Sequence, residues 1–274
     1  MFRYINSISE EEISTFQQKV FQFYQENKRN LPWRKTTDPY NILVSEFMLQ
    51  QTQVNRVIEY FTKWMRRWPT VQKLASEEYK NLLQAWMGLG YNRRAMYLHN
   101  TAKKIVNEFN GDVLTAIKNF KQLPGVGLYT SKAIQIFAAN ADISTVDTNI
   151  RRIFIDQFNL DESISDKQLF QLAQKCLPLG RSRDWHNALM DYGAIHLTSR
   201  KTGIKPKTQQ SRFQGSDRQI RGKVLRMLLQ ENYTKYQLQQ KLKVESNRLE
   251  EILRKMKKEK TISKTKEYYH VPQR

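Results

Sequence analysis

Between Leu123 and Arg152 the chain reads LPGVGLYTSKAIQIFAANADISTVDTNIRR. Gly125 and Gly127 are spaced by one residue, follow Pro124 and precede an apolar run of helical period, which demands a tight turn opening directly into a helix. The NH groups of such a turn point outward at a helix start, an arrangement suited to a phosphate. About twenty residues further on, Val146-Asp147-Thr148-Asn149 is a short polar break that reads as the start of another helix, with Asp147 near its cap.

Charge narrows the partner. The 274 residues hold 46 Lys and Arg against 26 Asp and Glu, a formal net charge of +20, so a polyanion is the first expectation. The length suffices for one large domain or two smaller ones. No apolar run reaches the roughly 18 residues of a membrane helix, and the start MFRYINSISEEEIS lacks the apolar stretch of a signal peptide. The expectation is an intracellular protein, cytoplasmic or nucleoid-associated. Cys176 is the single cysteine, which rules out an internal disulfide and any all-cysteine zinc or iron–sulfur site. It sits in the apolar-periodic LFQLAQKCLPLG and reads as a small buried hydrophobe rather than a nucleophile. The histidines, His99, His186, His196 and His270, show no metal-ligand spacing, so no metal site is expected.

Helical period dominates the first 200 or so residues, and no alternating strand interrupts it, so the class is all-α. Ser9 and Glu12 fit a capping box ahead of Ile13, Phe16, Val20, Phe21 and Tyr24, giving a first helix that ends near Arg29. After Leu31-Pro32-Trp33-Arg34 and a turn at Asp38-Pro39, Ile42, Leu43, Glu46, Phe47, Leu49 and Gln50 fall on another helix. Glu46 there faces either inward, where burial raises its pKa and suits it to donate a proton near neutral pH, or outward on a polar face, and spacing does not choose. Further helices are expected over Val57 to Trp68, Glu77 to Trp86, Asn92 to Asn107 and Leu114 to Lys121. Others follow near Asn149 to Phe158, Asp166 to Cys176 and Asp184 to His196. The basic, polar stretch 199–217 reads as a linker. Three short helices, Arg218 to Gln230, Lys235 to Leu242 and Ser246 to Lys257, then precede a hairpin over Thr261 to Val271 with its turn near Lys264 to Lys266, the pattern of a winged-helix module over 218–274.

The segments LPWR, SEFMLQQTQV, GLGY, LPGVG and VDTN, in this order over roughly residues 31–197, together resemble the helix-hairpin-helix DNA glycosylase superfamily, most closely the MutY-type adenine glycosylases. That resemblance implies a two-lobed glycosylase domain over 1–198, with a six-helix lobe of about 31–140 and a second lobe from 1–30 plus 141–198. It also implies a base-excision enzyme that acts on double-stranded DNA carrying a mismatched or damaged base, as a monomer. Gly125, Val126 and Gly127 would grip a phosphate, often with a monovalent cation on hairpin carbonyls. Asp147 would be the catalytic aspartate that stabilises the oxocarbenium-like sugar, electrostatically or by covalent capture, and Asn149 would help orient it. Glu46 would be the general acid for adenine. Leu31, Trp33, Arg34 and Asp191 would line the base pocket. Gln50, Gln51, Thr52 and Tyr91 would meet DNA, with Gln51 and Tyr91 entering the base stack while the target nucleotide is turned out. Tyr129 stands where strand-cleaving relatives place a nucleophilic lysine, so the resemblance implies a monofunctional glycosylase; Lys132, one turn on, does not align with that position.

The sequence also departs from that family. Most MutY-type enzymes hold an iron–sulfur cluster through cysteines just after the stretch matching Asp184 to His196, and here that region carries none, so no cluster is expected. His186-Asn187 replaces the more usual asparagine–glutamine pair. The last 57 or so residues are too few for a NUDIX-like domain, and the small basic module is expected to strengthen duplex binding or to bind a protein partner. Two other readings stand beside adenine excision: a thymine or uracil glycosylase on G mismatches, and a catalytically silent DNA-binding protein.

Overall fold

A computed structural model describes residues 3–205 and 212–272. In chain order the helices are α1 (Glu10–Asn27), α2 (Pro39–Leu49), α3 (Val54–Arg67), α4 (Val71–Ser76), α5 (Tyr79–Trp86), α6 (Arg93–Phe109), α7 (Val113–Lys118), α8 (Leu128–Ala139), α9 (Thr148–Gln157), α10 (Asp166–Lys175), α11 (Ser182–Asp191), α12 (Ser199–Thr202), α13 (Asp217–Leu228), α14 (Lys235–Leu242) and α15 (Ser246–Lys258). Three short strands accompany the last of them: β1 (Tyr233–Thr234), β2 (Ser263–Thr265) and β3 (Tyr268–His270). The chain divides into two units, 1–43 with 126–209 and 44–125 with 210–274.

The first unit is built around α1, α9, α10 and α11. Its capping box closes α1 as expected: Ser9 Oγ accepts the Glu12 amide at 3.2 Å and the Glu12 carboxylate accepts the Ser9 amide at 2.9 Å. Ile13, Phe16 and Val20 then recur on one face and are buried. Phe16 meets Phe154, Phe158 and Trp185 edge-on, at centroid distances of 6.0, 5.2 and 5.5 Å, the arrangement aromatic quadrupoles favour. Cys176 lies in this core, fully buried, and desolvation raises its thiol pKa to about 12, so it behaves as a hydrophobe.

One helix differs from the sequence reading. The periodic stretch Asp184 to His196 is α-helical only to Asp191 and then widens into a π-turn over Tyr192–His196. The wider turn presents the carbonyls of Gly193 and Leu197 to Arg152, which donates to them at 3.0 and 2.6 Å. Gly193 also runs so close to α9 that an added Cβ would lie 3.1 Å from Asn149 Cβ and from Ile153 Cδ1. Beyond it, Ile204 is buried in the first unit's core, while the 206–211 part of the expected linker lies outside the described residues.

In the second unit the six-residue α4 is not among the expected helices; Thr70 caps it, accepting the Lys73 amide at 3.3 Å, and it buries Val71, Leu74 and Ala75. Residues 217–270 follow the order helix, strand, helix, helix, hairpin, with an antiparallel sheet ordered β1-β3-β2. The two-residue strand β1 is too short to show in the sequence. The hairpin register pairs Ser263 with His270 and Thr265 with Tyr268. This places the turn at Lys266-Glu267, one step beyond the expected place, with Lys266 at φ 53° supplying the left-handed residue.

Candidate active site

The polar break before α9 does what an N-cap does. Asp147 Oδ1 accepts the Ile150 amide at 2.7 Å, and its other oxygen accepts from Asn149 Nδ2 at 3.2 Å. Asn149 Oδ1 in turn accepts from Arg152 Nη2 at 2.7 Å, so aspartate, asparagine and arginine form one chain anchored on the π-turn carbonyls. The aspartate keeps part of its surface open, yet desolvation outweighs these hydrogen bonds and the attraction of Arg152, and its pKa is raised above the ordinary carboxylate value. Arg152 and Gly193 do not stand out in the sequence; Arg152 lies three positions after Asn149, a helical neighbour spacing that could have marked it.

The segment leading into Asp147 is held from two sides. His186, fully buried, donates from Nδ1 to Ser182 O at 2.7 Å and accepts the Thr145 amide on Nε2 at 3.2 Å, which requires the neutral ring. Burial drives its pKa down to about 4. Lys132 Nζ donates to Ser144 O at 3.1 Å and lies 4.7 Å from the Phe170 ring centroid, with its pKa lowered by desolvation. The amine is thus engaged in positioning this segment. Tyr129 is half-buried on the first turn of α8.

Leu31, Trp33, Arg34 and Asp191 are brought together. Leu31 and Trp33 are buried, at the start of a short 3₁₀ turn, Pro32–Arg34, that fixes the LPWR segment. Arg34 grips Asp191 with both Nη atoms, at 2.7 and 2.9 Å, while Arg29 adds its Nε at 2.5 Å and its amide at 2.9 Å. Burial pushes the Asp191 carboxyl up, but the Arg34 and Arg29 hydrogen bonds overcome it and the pKa stays below the usual range. Each Asp191 oxygen accepts two donors, which makes it the fastener of Arg34; Arg29 is a partner that no local spacing reveals.

In the second unit, α2 carries Glu46, half-buried, on a helix otherwise packed by Phe47 and Met48. The chain leaves this helix through Gln50, Gln51 and Thr52, and Gln51 takes a left-handed φ of 55°. The GLGY turn ends the same way, with Tyr91 at φ 46°. Arg94, 7% exposed, joins the two. Its Nη1 donates to the carbonyls of Phe47, Met48 and Gln50 at 2.8, 2.9 and 2.6 Å. Its Nη2 donates to Thr52 Oγ1, Leu89 O and Gly90 O at 2.9, 3.2 and 2.9 Å. Desolvation drags the guanidinium pKa down to about 10, the cost of burying it. In the sequence this residue is one more arginine in a basic helix; only its burial distinguishes it.

At the hairpin, Gly125 has φ +77°, and a Cβ there would fall 2.8 Å from Tyr97 and 3.0 Å from Phe47. A side chain is excluded on both counts. Gly127 is exposed, caps α8 without a side-chain hydrogen bond, and has open space where a Cβ would lie.

A mostly helical fold in which a glycine turn opens one helix and an aspartate caps the next, on a strongly basic chain, matches the helical DNA glycosylases of base excision. The chain belongs to the HhH-GPD superfamily of base excision DNA repair proteins, whose family model matches residues 44–179. An adenine DNA glycosylase of Mycolicibacterium smegmatis is 36% identical over 231 residues, covering 77% of this chain and 79% of that protein. The rat adenine DNA glycosylase is 37% identical over 203 residues, 69% of this chain and 39% of that protein, so the chain spans well under half the length of the mammalian relative. Among solved structures, a thermostable thymine-DNA glycosylase aligns with a TM-score of 0.64 and 29% identity, covering 70% of this chain and 90% of that one. A trapped endonuclease III–DNA covalent intermediate shares the fold, with a TM-score of 0.62 at 16% identity over 73% of this chain and 91% of that one. The family makes DNA the partner and N-glycosidic bond hydrolysis the chemistry. No helix among the described residues is long and apolar enough to cross a membrane.

Proposed function

We propose that this protein removes adenine mispaired with guanine or 8-oxoguanine from double-stranded DNA, as a monomeric, monofunctional glycosylase of the cell interior. The observation that carries the reading is Asp147: a carboxylate fixed by the Ile150 amide and by Asn149, in a chain similar over most of its length to an adenine DNA glycosylase. Glu46 gives its proton to a ring nitrogen of adenine such as N7. The C1′–N9 bond then breaks with its electron pair leaving on the base, and the ionised Asp147 stabilises the positive charge that develops on the sugar. Water adds at C1′ and loses a proton, so the products are free adenine and an abasic site. Asn149 and Arg152 orient the carboxylate. Leu31, Trp33 and Arg34 line the base pocket, with Asp191 acting through Arg34. Gln50, Gln51, Thr52 and Tyr91 meet the distorted duplex, while Gly125, Val126 and Gly127 hold a phosphate through backbone amides. A monovalent cation fits the hairpin by donor type.

With Tyr129 in the position of the lysine and Lys132 engaged at Ser144, strand cleavage through a Schiff base is not expected. The relationship to a thymine-DNA glycosylase at 29% identity favours one alternative, excision of thymine or uracil opposite guanine. Incubation of the purified protein with duplexes holding A:G, A:8-oxoguanine, T:G or U:G, followed by alkali, separates the two. Abasic sites at the adenine opposite G or 8-oxoguanine support the proposal; abasic sites only at T:G or U:G overturn it.

A further inference from the structure

The last 61 described residues, 212–272, hold 16 Lys and Arg against seven Asp and Glu. Six of those seven carboxylates have partners within the chain. Asp217 pairs with Arg248 at 2.8 Å, Glu250 with Lys235 at 2.5 Å and Glu251 with Lys255 at 2.7 Å. Glu245 caps α15 by accepting two amides, and Glu231 accepts from the Tyr233 hydroxyl. Glu259 pairs with Arg221 and, at 3.6 Å, with Arg93. Each paired acid offsets one cation, and the sixteen basic against seven acidic side chains still leave this stretch with a large positive excess. Around the end of α15, Arg254, Lys257, Lys258 and Lys260 are all exposed.

This end is not remote from the DNA-facing turn. Glu259, bracketed by Lys258 and Lys260, reaches Arg93, two residues past Tyr91. Arg218 of α13 donates to the Tyr91 hydroxyl and stands 5.1 Å from its ring centroid. The cationic end of the module is thus fastened beside the turn that carries Tyr91. Exposed like charges clustered this way repel one another and are stabilised by a polyanion, and in a protein whose partner is DNA the complementary surface is a phosphate backbone.

We infer that Arg254, Lys257, Lys258 and Lys260 form a second grip on the duplex backbone beside the Tyr91 turn, with Arg218 and Glu259 as the joints that hold this grip in register with the turn. The inference rests on DNA being the partner but not on which base is removed. Because phosphates are alike in every sequence, the grip adds affinity to matched and mismatched duplexes equally.

The test is binding of the full-length protein to a matched and an A:G duplex of about 30 base pairs across a salt series, for wild type and the variant Arg254→Gln/Lys257→Gln/Lys258→Gln/Lys260→Gln. Every phosphate that the variant no longer neutralises lowers the slope of log K against log salt by about 0.9. The expected result is a slope reduced by about two or more on both duplexes. A companion variant, Arg254→Lys/Lys257→Arg/Lys258→Arg/Lys260→Arg, keeps the charge and is expected to keep the slope; it guards against loss through misfolding, as does an unchanged melting temperature. A slope within about half a unit of wild type on both duplexes overturns the inference, as would be found if the surface served a protein partner. So does an equal loss in the charge-conserving variant. Binding to the matched duplex needs no excision, so failure of the adenine reading would leave this result intact.

Discussion

Arg94→Met removes a guanidinium while keeping most of the side-chain volume. Its six acceptors share two nitrogens, so some bonds are bifurcated. At about 1.5–3 kcal/mol for each bond to a charged group, the simple sum would exceed the stability of most domains. Desolvation of the guanidinium, visible in its pKa of about 10, offsets much of that. Each buried acceptor left without a donor costs about 1–3 kcal/mol; with several carbonyls stranded and the desolvation of the guanidinium relieved, we expect a net loss of about 4 kcal/mol. For a chain of this size that corresponds to a fall of roughly 8–16 °C in melting temperature. Arg94→Lys retains the charge but replaces a planar fork with a point donor and is expected to recover less than half of the loss. Calorimetry or urea unfolding reads the stability, and excision from an A:G duplex reads the consequence for the two turns, which lose the link between Gln51 and Tyr91. A loss under about 1 kcal/mol with undiminished excision would refute the claim that Arg94 joins them.

Three further outcomes follow from the geometry. Burial holds His99 and His186 neutral with pKa values near 4, against 6.5 for the ordinary imidazole, so the unfolded chain binds more protons between those limits. Stability should be complete above about pH 6.5 and fall by up to about 3 kcal/mol per histidine on the way to pH 4; urea midpoints that stay flat over that range would contradict it. Asp191→Asn leaves Arg29 and Arg34 facing a neutral amide, and a loss of about 3 kcal/mol is expected, read as a melting shift of roughly 6–12 °C. A shift under about 2 °C would mean that the fastener is dispensable. Gly125→Ala forces a side chain into a left-handed residue against Tyr97 and should cost about 1–3 kcal/mol together with DNA affinity; unchanged melting and binding would show that the hairpin adapts.

What is legible in the sequence follows from what repeats or punctuates. The capping residues Ser9 and Asp147, the helical faces of α1 and α10, and Gly125 in the hairpin turn all carry local rules, and the residues obey them. Among the elements missed are α4, α12 and β1, each of six residues or fewer. The π-turn is hidden because apolar spacing continues through it while the backbone yields to Arg152. Arg94, Arg152 and His186 escape for one physical reason: a buried hydrogen-bonding side chain has the same spelling as an exposed one, and only tertiary packing decides which it is. The family resemblance implies a pocket role for Asp191, whereas its four hydrogen bonds to Arg29 and Arg34 depend on a long-range pairing that no local spacing encodes.

In the proposed acid-assisted hydrolysis of the adenine N-glycosidic bond, the proton comes from Glu46 and the stabilising charge from Asp147. Single-turnover excision from an A:G duplex, at saturating enzyme, tests both roles in wild type, Glu46→Gln and Asp147→Asn. Wild type should release adenine and leave an abasic site without strand cleavage. Glu46→Gln should be slower by about 10² to 10⁴ and Asp147→Asn by at least about 10², with duplex binding retained in both. Excision by either variant within about tenfold of wild type would contradict the assignment.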